Sequence, residues 1–283
     1  MITTLVTIAT DTVPLDGAWY EPQGKPKGAV LLFHGNTMNF YLGAPRFLPP
    51  ALTRLGYACL AFNRRGHDIL GIRNSRAAEG AAFQTYVEAI EDNRIAARWV
   101  AARGFPDPVV IGHSNGGMLA VRHVADHPRT PALVLLSAHC GGKNMVPLAS
   151  AAGLLACDRL NEITEKAVSL VKSGKGKELI QLPGWWYVAS AESFVDMLSN
   201  CPDILELAPR ISCPVLTLRG DREPRELYPA EEFSRKASGT CTVHIVPDCD
   251  HFYVGREEIV SNIVCPWLAN AIEHPWGGEC IAD

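Results

Sequence analysis

The chain has 283 residues, of which 47% are hydrophobic and 20% are charged, a balance typical of a globular protein with a sizeable buried core. Its formal net charge is only −4 at pH 7, and no stripe of basic residues with interleaved aromatics occurs along it. This pattern argues against a nucleic-acid-binding protein. At roughly 150 residues per domain, the length predicts either two domains or one large α/β domain.

The amino-terminal segment and the cysteines bear on the compartment. The first residues alternate like a strand and lack the basic and continuous apolar regions of a secretion signal. No apolar run approaches the roughly 20 residues that cross a bilayer. The nine cysteines are scattered and form no Cys-x-x-Cys pair, which favours reduced thiols over a disulfide framework. We therefore expect a cytoplasmic protein without a membrane span, and a homodimer is one option for its assembly.

Short apolar runs alternate with helical patterns along most of the chain. Residues 1–28 read as antiparallel edge strands. The later runs suit strands that are buried on both faces of a sheet; they are Ala29–Phe33, Tyr57–Phe62, Val109–Ile111, Ala132–Leu136, Val215–Leu218 and Cys241–Val246. The predicted helices are Phe83–Ala102, Asn115–Asp126, Glu226–Ala237 and Glu257–Ile272, the last interrupted near Pro266. This order predicts a mainly parallel sheet with helices on both faces, so functional residues should follow the carboxyl ends of the strands.

Residues 141–210 break this alternation. The segment contains helix-like stretches and is too long for a plain loop inside a compact domain. It is predicted to be an inserted helical unit.

The sequence Gly112-His-Ser-Asn-Gly116 follows an apolar run and opens a predicted helix. In this strand–turn–helix context, Gly-x-Ser-x-Gly is the pattern of a nucleophile elbow. The turn is too sharp for bulky residues at positions 112 and 116, and it exposes the serine hydroxyl beside a helix N-terminus that favours negative charge. Ser114 is therefore the predicted nucleophile.

A serine nucleophile needs a base, and the base needs an acid that holds its tautomer. His251 follows the last apolar run and is the predicted base. Asp221 ends the preceding run and is the predicted acid, with Glu223 in the same loop as its competitor. The resulting order Ser, Asp, His is the expected one for this architecture.

Two backbone N–H groups are expected to form an oxyanion hole. One belongs to Asn115, which directly follows the nucleophile. The other comes from the loop after the Ala29–Phe33 run, with Asn36 as the first choice and Thr37 as the alternative. Loss of one such donor typically costs about 3 kcal/mol of transition-state stabilisation.

These features resemble the α/β-hydrolase superfamily over nearly the whole chain outside residues 141–210. The segments that carry the resemblance are His34-Gly-Asn36, Asn63-Arg-Arg-Gly-His67, Gly112–Gly116, Arg219-Gly-Asp221 and Asp250-His251. The resemblance implies an α/β-hydrolase fold with a mostly parallel eight-stranded sheet flanked by helices. It also implies a core of residues 1–140 and 211–283 and a helical lid, or cap, of residues 141–210.

One loop departs from the family pattern. Many relatives carry Asp-x-Arg-Gly-x-Gly-x-Ser after the second of the parallel strands, whereas Asn63 and Asp68 stand here at the Asp and second Gly positions.

Serine at position 114 argues against dehalogenases and epoxide hydrolases, which use an aspartate there.

The sequence therefore predicts a serine hydrolase that cleaves a carboxylic ester, with lactones and thioesters as related substrates. The same triad can serve C–C bond hydrolysis, amide hydrolysis or cofactor-free perhydrolysis, and a non-catalytic ligand receptor is an alternative of another class. No metal-ligand motif occurs in the sequence, so we expect neither a metal nor a cofactor.

The substrate is expected to be a small molecule with an apolar or aromatic acyl or alcohol part. Aromatic side chains over a cleft can enclose such a group and exclude water. The residues predicted to bind it are Trp185, Trp186, Tyr187, His139 and Phe252.

Overall fold

The structure is a computed structural model that describes residues 1–72, 78–184 and 187–273. Its strands, in chain order, are β1 (Ile2–Ile8), β2 (Leu15–Glu21), β3 (Gly28–Phe33), β4 (Tyr57–Phe62), β5 (Gly71–Ile72), β6 (Ala78–Glu79), β7 (Val109–His113), β8 (Leu133–Leu136), β9 (Leu179–Leu182), β10 (Tyr187–Ser190), β11 (Val215–Gly220) and β12 (Cys241–Val246).

The helices lie between and after these strands. They are α1 (Ala44–Phe47), α2 (Pro49–Arg54), α3 (Tyr86–Ala101), α4 (Asn115–Asp126), α5 (Met145–Ala151), α6 (Leu160–Lys172), α7 (Ala191–Asn200), α8 (Ile204–Leu207), α9 (Ala230–Lys236) and α10 (Glu257–Glu273), with short 3-10 turns at Cys157–Arg159 and Ala208–Arg210.

Eight strands form one sheet in the order β1-β2-β4-β3-β7-β8-β11-β12. Strand β2 pairs antiparallel with both β1 and β4. From β4 onward, each strand in the order β4-β3-β7-β8-β11-β12 runs parallel to the next. This arrangement confirms the predicted fold class. Because the parallel strands share one direction, the loops after β3, β7, β11 and β12 meet at one edge of the sheet.

Helices cover both faces of the sheet, and the strand pleat divides the core between them. In β3, for example, Leu31 and Phe33 join one buried apolar cluster, whereas Val30 and Leu32 join the other. Successive side chains of a strand point to opposite faces, so a strand covered on both sides is apolar throughout. The continuous apolar runs of the sequence have this origin.

Helix α10 differs from the prediction because it continues past Pro266 to Glu273. Proline removes one helical hydrogen bond. Val260, Val264 and Leu268 lie one turn apart and are fully buried against the sheet on either side of it. Burial of this stripe stabilises the helix enough to offset the missing bond.

Residues 141–210 lie between β8 and β11 and contain α5 to α8. They are not wholly helical, since β9 and β10 form an antiparallel hairpin among these helices. Hydrogen bonds tie the segment to the start of α3. The N–H of Ser190 donates to the carbonyl of Ala82 at 2.6 Å, and the N–H of Tyr86 donates to Asp196 Oδ2 at 2.7 Å.

The close approach of α4 to the β3 strand gives a first test of this fold. A Cβ on Gly116 would lie 2.3 Å from the carbonyl oxygen of Phe33 and 2.4 Å from that of His34. Because both atoms are backbone, Gly116→Ala should lower the free energy of unfolding by about 3 kcal/mol or more, measured by urea denaturation. Gly71→Ala is the control, since the nearest atom to its Cβ would be 3.9 Å away; equal effects of the two substitutions would contradict this packing.

Candidate active site

Ser114 occupies the sharp turn between β7 and α4. Its backbone lies at φ 56° and ψ −121°, a left-handed region that costs free energy for a residue other than glycine. Its N–H donates to the carbonyl of Leu136 at 2.8 Å. A Cβ on Gly112 would lie 2.3 Å from the carbonyl oxygen of Gly116, so both glycines of the motif are required by close backbone contact.

The loop after β3 packs directly against this serine. A Cβ on Gly35 would lie 3.2 Å from Ser114 Cβ. The N–H groups of Asn36 and Asn115 have no hydrogen-bond acceptor among the described residues, the latter because it begins α4. Asn36 also lines the cavity beside Ser114, and Thr37 is not among the described residues that do so. These positions favour Asn36 over Thr37 as the second oxyanion donor.

Arg64 and His34 form a buried pair that supports the loop after β3. Arg64 is 1% exposed; its guanidinium donates to the carbonyl of His34 at 2.7 Å, and its N–H donates to His34 Nε2 at 3.1 Å. His34 Nδ1 in turn donates to the carbonyl of Gly35 at 2.7 Å. Burial, followed by the charge of Arg64, lowers the pKa of His34 well below its usual value. The neutral imidazole therefore serves as a brace and does not line the cavity.

In the loop after β4, the structure explains the two residues that depart from the family pattern, Asn63 and Asp68. Asn63 Oδ1 accepts the N–H of Phe40 at 2.7 Å, a role that an aspartate oxygen could also fill. Asp68 adopts a positive φ of 52°, as a glycine would, and its carboxylate accepts hydrogen bonds from Asn39 Nδ2 at 2.9 Å and from His67 Nδ1 at 2.7 Å. The side chain thus stabilises a backbone conformation that would otherwise favour glycine.

His251 lies in the loop after β12 and is 11% exposed. His113, the residue before the elbow serine, donates from Nε2 to the backbone carbonyl of His251 at 2.8 Å, and the two rings are 5.0 Å apart. The ring of Tyr228 lies 4.9 Å away on another side. His113 therefore has a positioning role, because its hydrogen bond fixes the His251 loop against the turn that carries Ser114.

The carboxylate that contacts His251 is Glu223, the competitor, and not the predicted Asp221. Glu223 Oε1 accepts a hydrogen bond from His251 Nδ1 at 2.6 Å. Asp221 instead accepts the backbone N–H groups of Asp248 and Cys249 at 3.0 and 3.1 Å. Its two oxygens therefore hold the loop after β12 against the loop after β11.

Further hydrogen bonds fix the Glu223 carboxylate. Its Oε2 accepts from the hydroxyl of Ser137 at 2.6 Å and from the N–H of Gly220 at 2.7 Å. Ser137 adopts a positive φ of 46° and also lies 2.6 Å from the hydroxyl of Tyr253. A buried charge is tolerated when it is fully hydrogen-bonded, and Glu223 is only 6% exposed.

Arg219 stabilises the turn that carries this glutamate. Its buried guanidinium donates to the backbone carbonyls of Gly220 and Glu223 at 3.0 and 3.3 Å and to Glu231 at 3.1 Å. The arginine thus ties β11, the turn and α9 together. No local sequence signal distinguishes Glu223 from Asp221; only the distance to His251 does.

A cavity lies beside Ser114, with an atom-free space of about 850 Å³ that is partly open to solvent. Its apolar lining comes mainly from residues 141–210; it includes Met145, Ala149, Leu154, Leu155, Met197 and Leu227. Its polar lining includes Asn36, Ser114, Asn115, His139, Tyr86, Tyr187 and Tyr228.

The predicted substrate-binding residues have different positions. His139 and Tyr187 line the cavity, and the Tyr187 hydroxyl donates to the carbonyl of Ala81 at 3.3 Å. Phe252 is 41% exposed, is not among the described lining residues, and packs edge-on against the His251 ring at 5.2 Å. The predictions for Trp185 and Trp186 lie outside the described residues.

Two other features bear on the kind of site. In the part of the chain that the structure describes, no group of three or more His, Cys, Asp or Glu side chains is arranged to hold a metal ion. Nor does any helix of residues 1–72, 78–184 and 187–273 combine the length and hydropathy that a membrane crossing requires.

Comparison with known proteins identifies the family. The profile of the alpha/beta hydrolase family matches residues 30–261, which is most of the chain. The chain belongs to this family. No curated protein sequence matches it significantly.

Many solved structures share the fold. Est1E from Butyrivibrio proteoclasticus, determined with bound ferulic acid, has a TM-score of 0.70 and 20% identity, covering 95% of this chain and 99% of that one. A soluble variant of monoglyceride lipase from Saccharomyces cerevisiae has a TM-score of 0.70 and 14% identity, with 96% of each chain covered. The alpha/beta hydrolase GrgF from Penicillium sp. sh18 has a TM-score of 0.72 and 14% identity, covering 97% and 99%.

The buried His113, next to Ser114, provides a test based on the pH dependence of stability. Burial, followed by the charge of His251, lowers the pKa of His113 to about 3, whereas an unfolded histidine titrates near pH 6.5. Between these values only the unfolded chain takes up the proton, so acid favours unfolding. His113→Gln should therefore reduce the pH dependence of the unfolding free energy by about 1.4 kcal/mol per pH unit near pH 5. Urea denaturation from pH 4 to 7 measures this slope, and an unchanged slope would contradict a neutral buried His113.

Proposed function

We propose that this protein is a serine hydrolase that cleaves a carboxylic ester by means of Ser114, His251 and Glu223. The observation that carries the proposal is the 2.6 Å hydrogen bond from His251 Nδ1 to Glu223 Oε1, located at the same sheet edge as the strained elbow serine. Because this bond places the ring proton on Nδ1, Nε2 is left as the basic nitrogen. A structural ion pair alone would not require a strained serine at the same edge of the sheet.

In the proposed reaction, the Ser114 hydroxyl attacks the ester carbonyl while His251 Nε2 takes its proton. Collapse of the tetrahedral intermediate expels the alcohol, which receives that proton, and leaves an acyl-enzyme on Ser114. Water then repeats the sequence with His251 as base and releases the acid. The described residues provide no hydrogen-bond partner for the Ser114 hydroxyl; catalytic hydrogen bonds often tighten only when substrate binds.

The N–H groups of Asn36 and Asn115 are the proposed donors to the oxyanion. Both lack a protein acceptor, and both belong to residues that line the cavity. Donors that are fixed before the reaction stabilise the developing charge without a reorganisation cost. The Arg64–His34 brace keeps the Asn36 loop in place for this purpose.

Residues 141–210 are the proposed lid, inserted into a core formed by residues 1–140 and 211–283. The support is that apolar residues of this segment, such as Met145 and Met197, line the same cavity as Ser114. An apolar wall suits an uncharged acyl or alcohol group and excludes water from the reacting carbonyl. The site chemistry as proposed requires no cofactor.

Covalent labelling tests the nucleophile. A fluorophosphonate should modify Ser114 in the folded protein, and peptide mapping by mass spectrometry should locate the label there. The wild type should hydrolyse p-nitrophenyl esters, and Ser114→Ala should reduce kcat by at least about 10³-fold, because the remaining oxyanion donors give only residual catalysis. The panel should include a feruloyl ester, since the Butyrivibrio protein binds ferulic acid.

Folded protein that neither labels nor hydrolyses any ester would reject the enzyme and favour a ligand receptor. Activity that survives in Ser114→Ala would reject the proposed nucleophile.

A pair of carboxylate variants tests the acid. Glu223→Gln should lower kcat by about 10³- to 10⁴-fold, because the amide no longer stabilises the imidazolium or holds its tautomer. Asp221→Asn leaves the hydrogen bond between Glu223 and His251 in place. It should mainly lower the thermal stability, because one oxygen that accepts a backbone N–H is replaced by a donor. Steady-state kinetics and thermal unfolding of both variants give the comparison. A larger loss of kcat in Asp221→Asn than in Glu223→Gln would assign the catalytic role to Asp221.

A further inference from the structure

The side chain of Asn115 is held in one orientation at the cavity wall. Asn115 directly follows the proposed nucleophile and is 8% exposed. Its Oδ1 lies 3.2 Å from His139 Nε2 and 3.5 Å from the Tyr86 hydroxyl. Neither contact belongs to the proposed triad or to the backbone oxyanion donors, so the role of this amide is a separate question.

The proton on His139 decides which end of the amide faces it. The N–H of Gly141 donates to His139 Nδ1 at 3.1 Å, so Nδ1 carries no proton. Burial, followed by the charge of His251, lowers the pKa of His139 to about 3, which keeps the ring neutral. The single ring proton therefore lies on Nε2, and the atom that faces Nε2 must be an acceptor. The amide oxygen is consequently fixed toward His139.

The amide nitrogen then points away from His139 and has no acceptor in the protein. No described residue accepts a hydrogen bond from Asn115 Nδ2, and this atom is not among the fully buried unpaired polar atoms. Since Asn115 lines the cavity, its amide N–H groups are open to a ligand there. An unpaired donor in a largely buried site gains most from an acceptor on the ligand.

We propose that Asn115 Nδ2 is a specificity-determining donor that selects acyl groups with an oxygen acceptor close to the scissile carbonyl. The preferred substrates are esters whose acyl chain carries a keto, ether or hydroxyl oxygen on the α or β carbon. The backbone N–H of the same residue is the proposed oxyanion donor, and only a few covalent bonds separate the two nitrogens. The acceptor must therefore lie near the carbonyl. This inference rests on the proposed ester hydrolase function.

Matched esters test the preference in the wild type. The p-nitrophenyl esters of methoxyacetate and butanoate have acyl chains of equal length that differ by an ether oxygen in place of a methylene. The ratio of their kcat/KM values is divided by the ratio of their hydroxide-catalysed rates, which removes the intrinsic reactivity of the ester. We expect this normalised ratio, methoxyacetate over butanoate, to be about ten, the effect of one hydrogen bond. A ratio of one or less would overturn the inference.

Two variants assign the preference to a side chain. Asn115→Asp replaces the donor by an acceptor that His139 and Tyr86 can still hold, and it should bring the normalised ratio to one or below. Tyr228→Phe is the control, since it removes a second cavity hydroxyl for which the described residues offer no partner, and it should leave the ratio as in the wild type. Changes in absolute rate cancel in each ratio. If thermal unfolding shows that the Asn115→Asp variant is not folded, Asn115→Leu provides the same comparison.

The outcomes separate this inference from the proposed function. Hydrolysis of both esters with a ratio that falls in Tyr228→Phe but not in Asn115→Asp would overturn the role of Asn115 and leave the hydrolase intact. Absence of hydrolysis, together with absence of fluorophosphonate labelling at Ser114, would overturn both.

Discussion

The backbone of Ser114 adopts a left-handed conformation that only tight surroundings can maintain. Glycines at 112 and 116 allow β7, the start of α4 and the end of β3 to approach within distances that a Cβ would prevent. Gly35 allows the next loop to contact the serine itself. Ser114, the proposed oxyanion donors and the helix N-terminus are therefore parts of one packed unit, and the packing against the sheet maintains the strained backbone of Ser114.

A second unit surrounds His251, and its organising group is a buried carboxylate. Glu223 is acceptable in this position because a histidine, a serine hydroxyl and a backbone N–H satisfy its two oxygens. Asp221 has an equally specific use, since its oxygens accept the N–H groups of the loop that carries His251. The two carboxylates therefore have different contacts: Asp221 holds the loop, and Glu223 contacts the imidazole. His113 joins this unit to the elbow.

The cavity combines walls of different chemistry. Residues 141–210 contribute most of the apolar surface and Tyr187, whereas the sheet edge contributes the serine and the amides. A neutral histidine is suited to such a place, because burial keeps His139 uncharged, with Nε2 as a donor and Nδ1 as an acceptor. Fixed polarity of this kind can orient a substrate without placing a net charge beside the reacting carbonyl.

The sequence by itself determined the features that depend on local backbone geometry. The alternation of apolar runs and helices predicted the parallel sheet, and Gly-x-Ser-x-Gly after a strand predicted the elbow at Ser114. The prediction of the turn at Ser114 succeeds because a sharp turn limits which residues can flank it. Only the tertiary structure showed that Glu223 and not Asp221 contacts His251, continued α10 through Pro266 and placed His139 against Asn115. Each of these depends on contacts between segments far apart in the chain, where the length of a side chain and the location of its partner, and not its neighbours in sequence, determine which hydrogen bond forms.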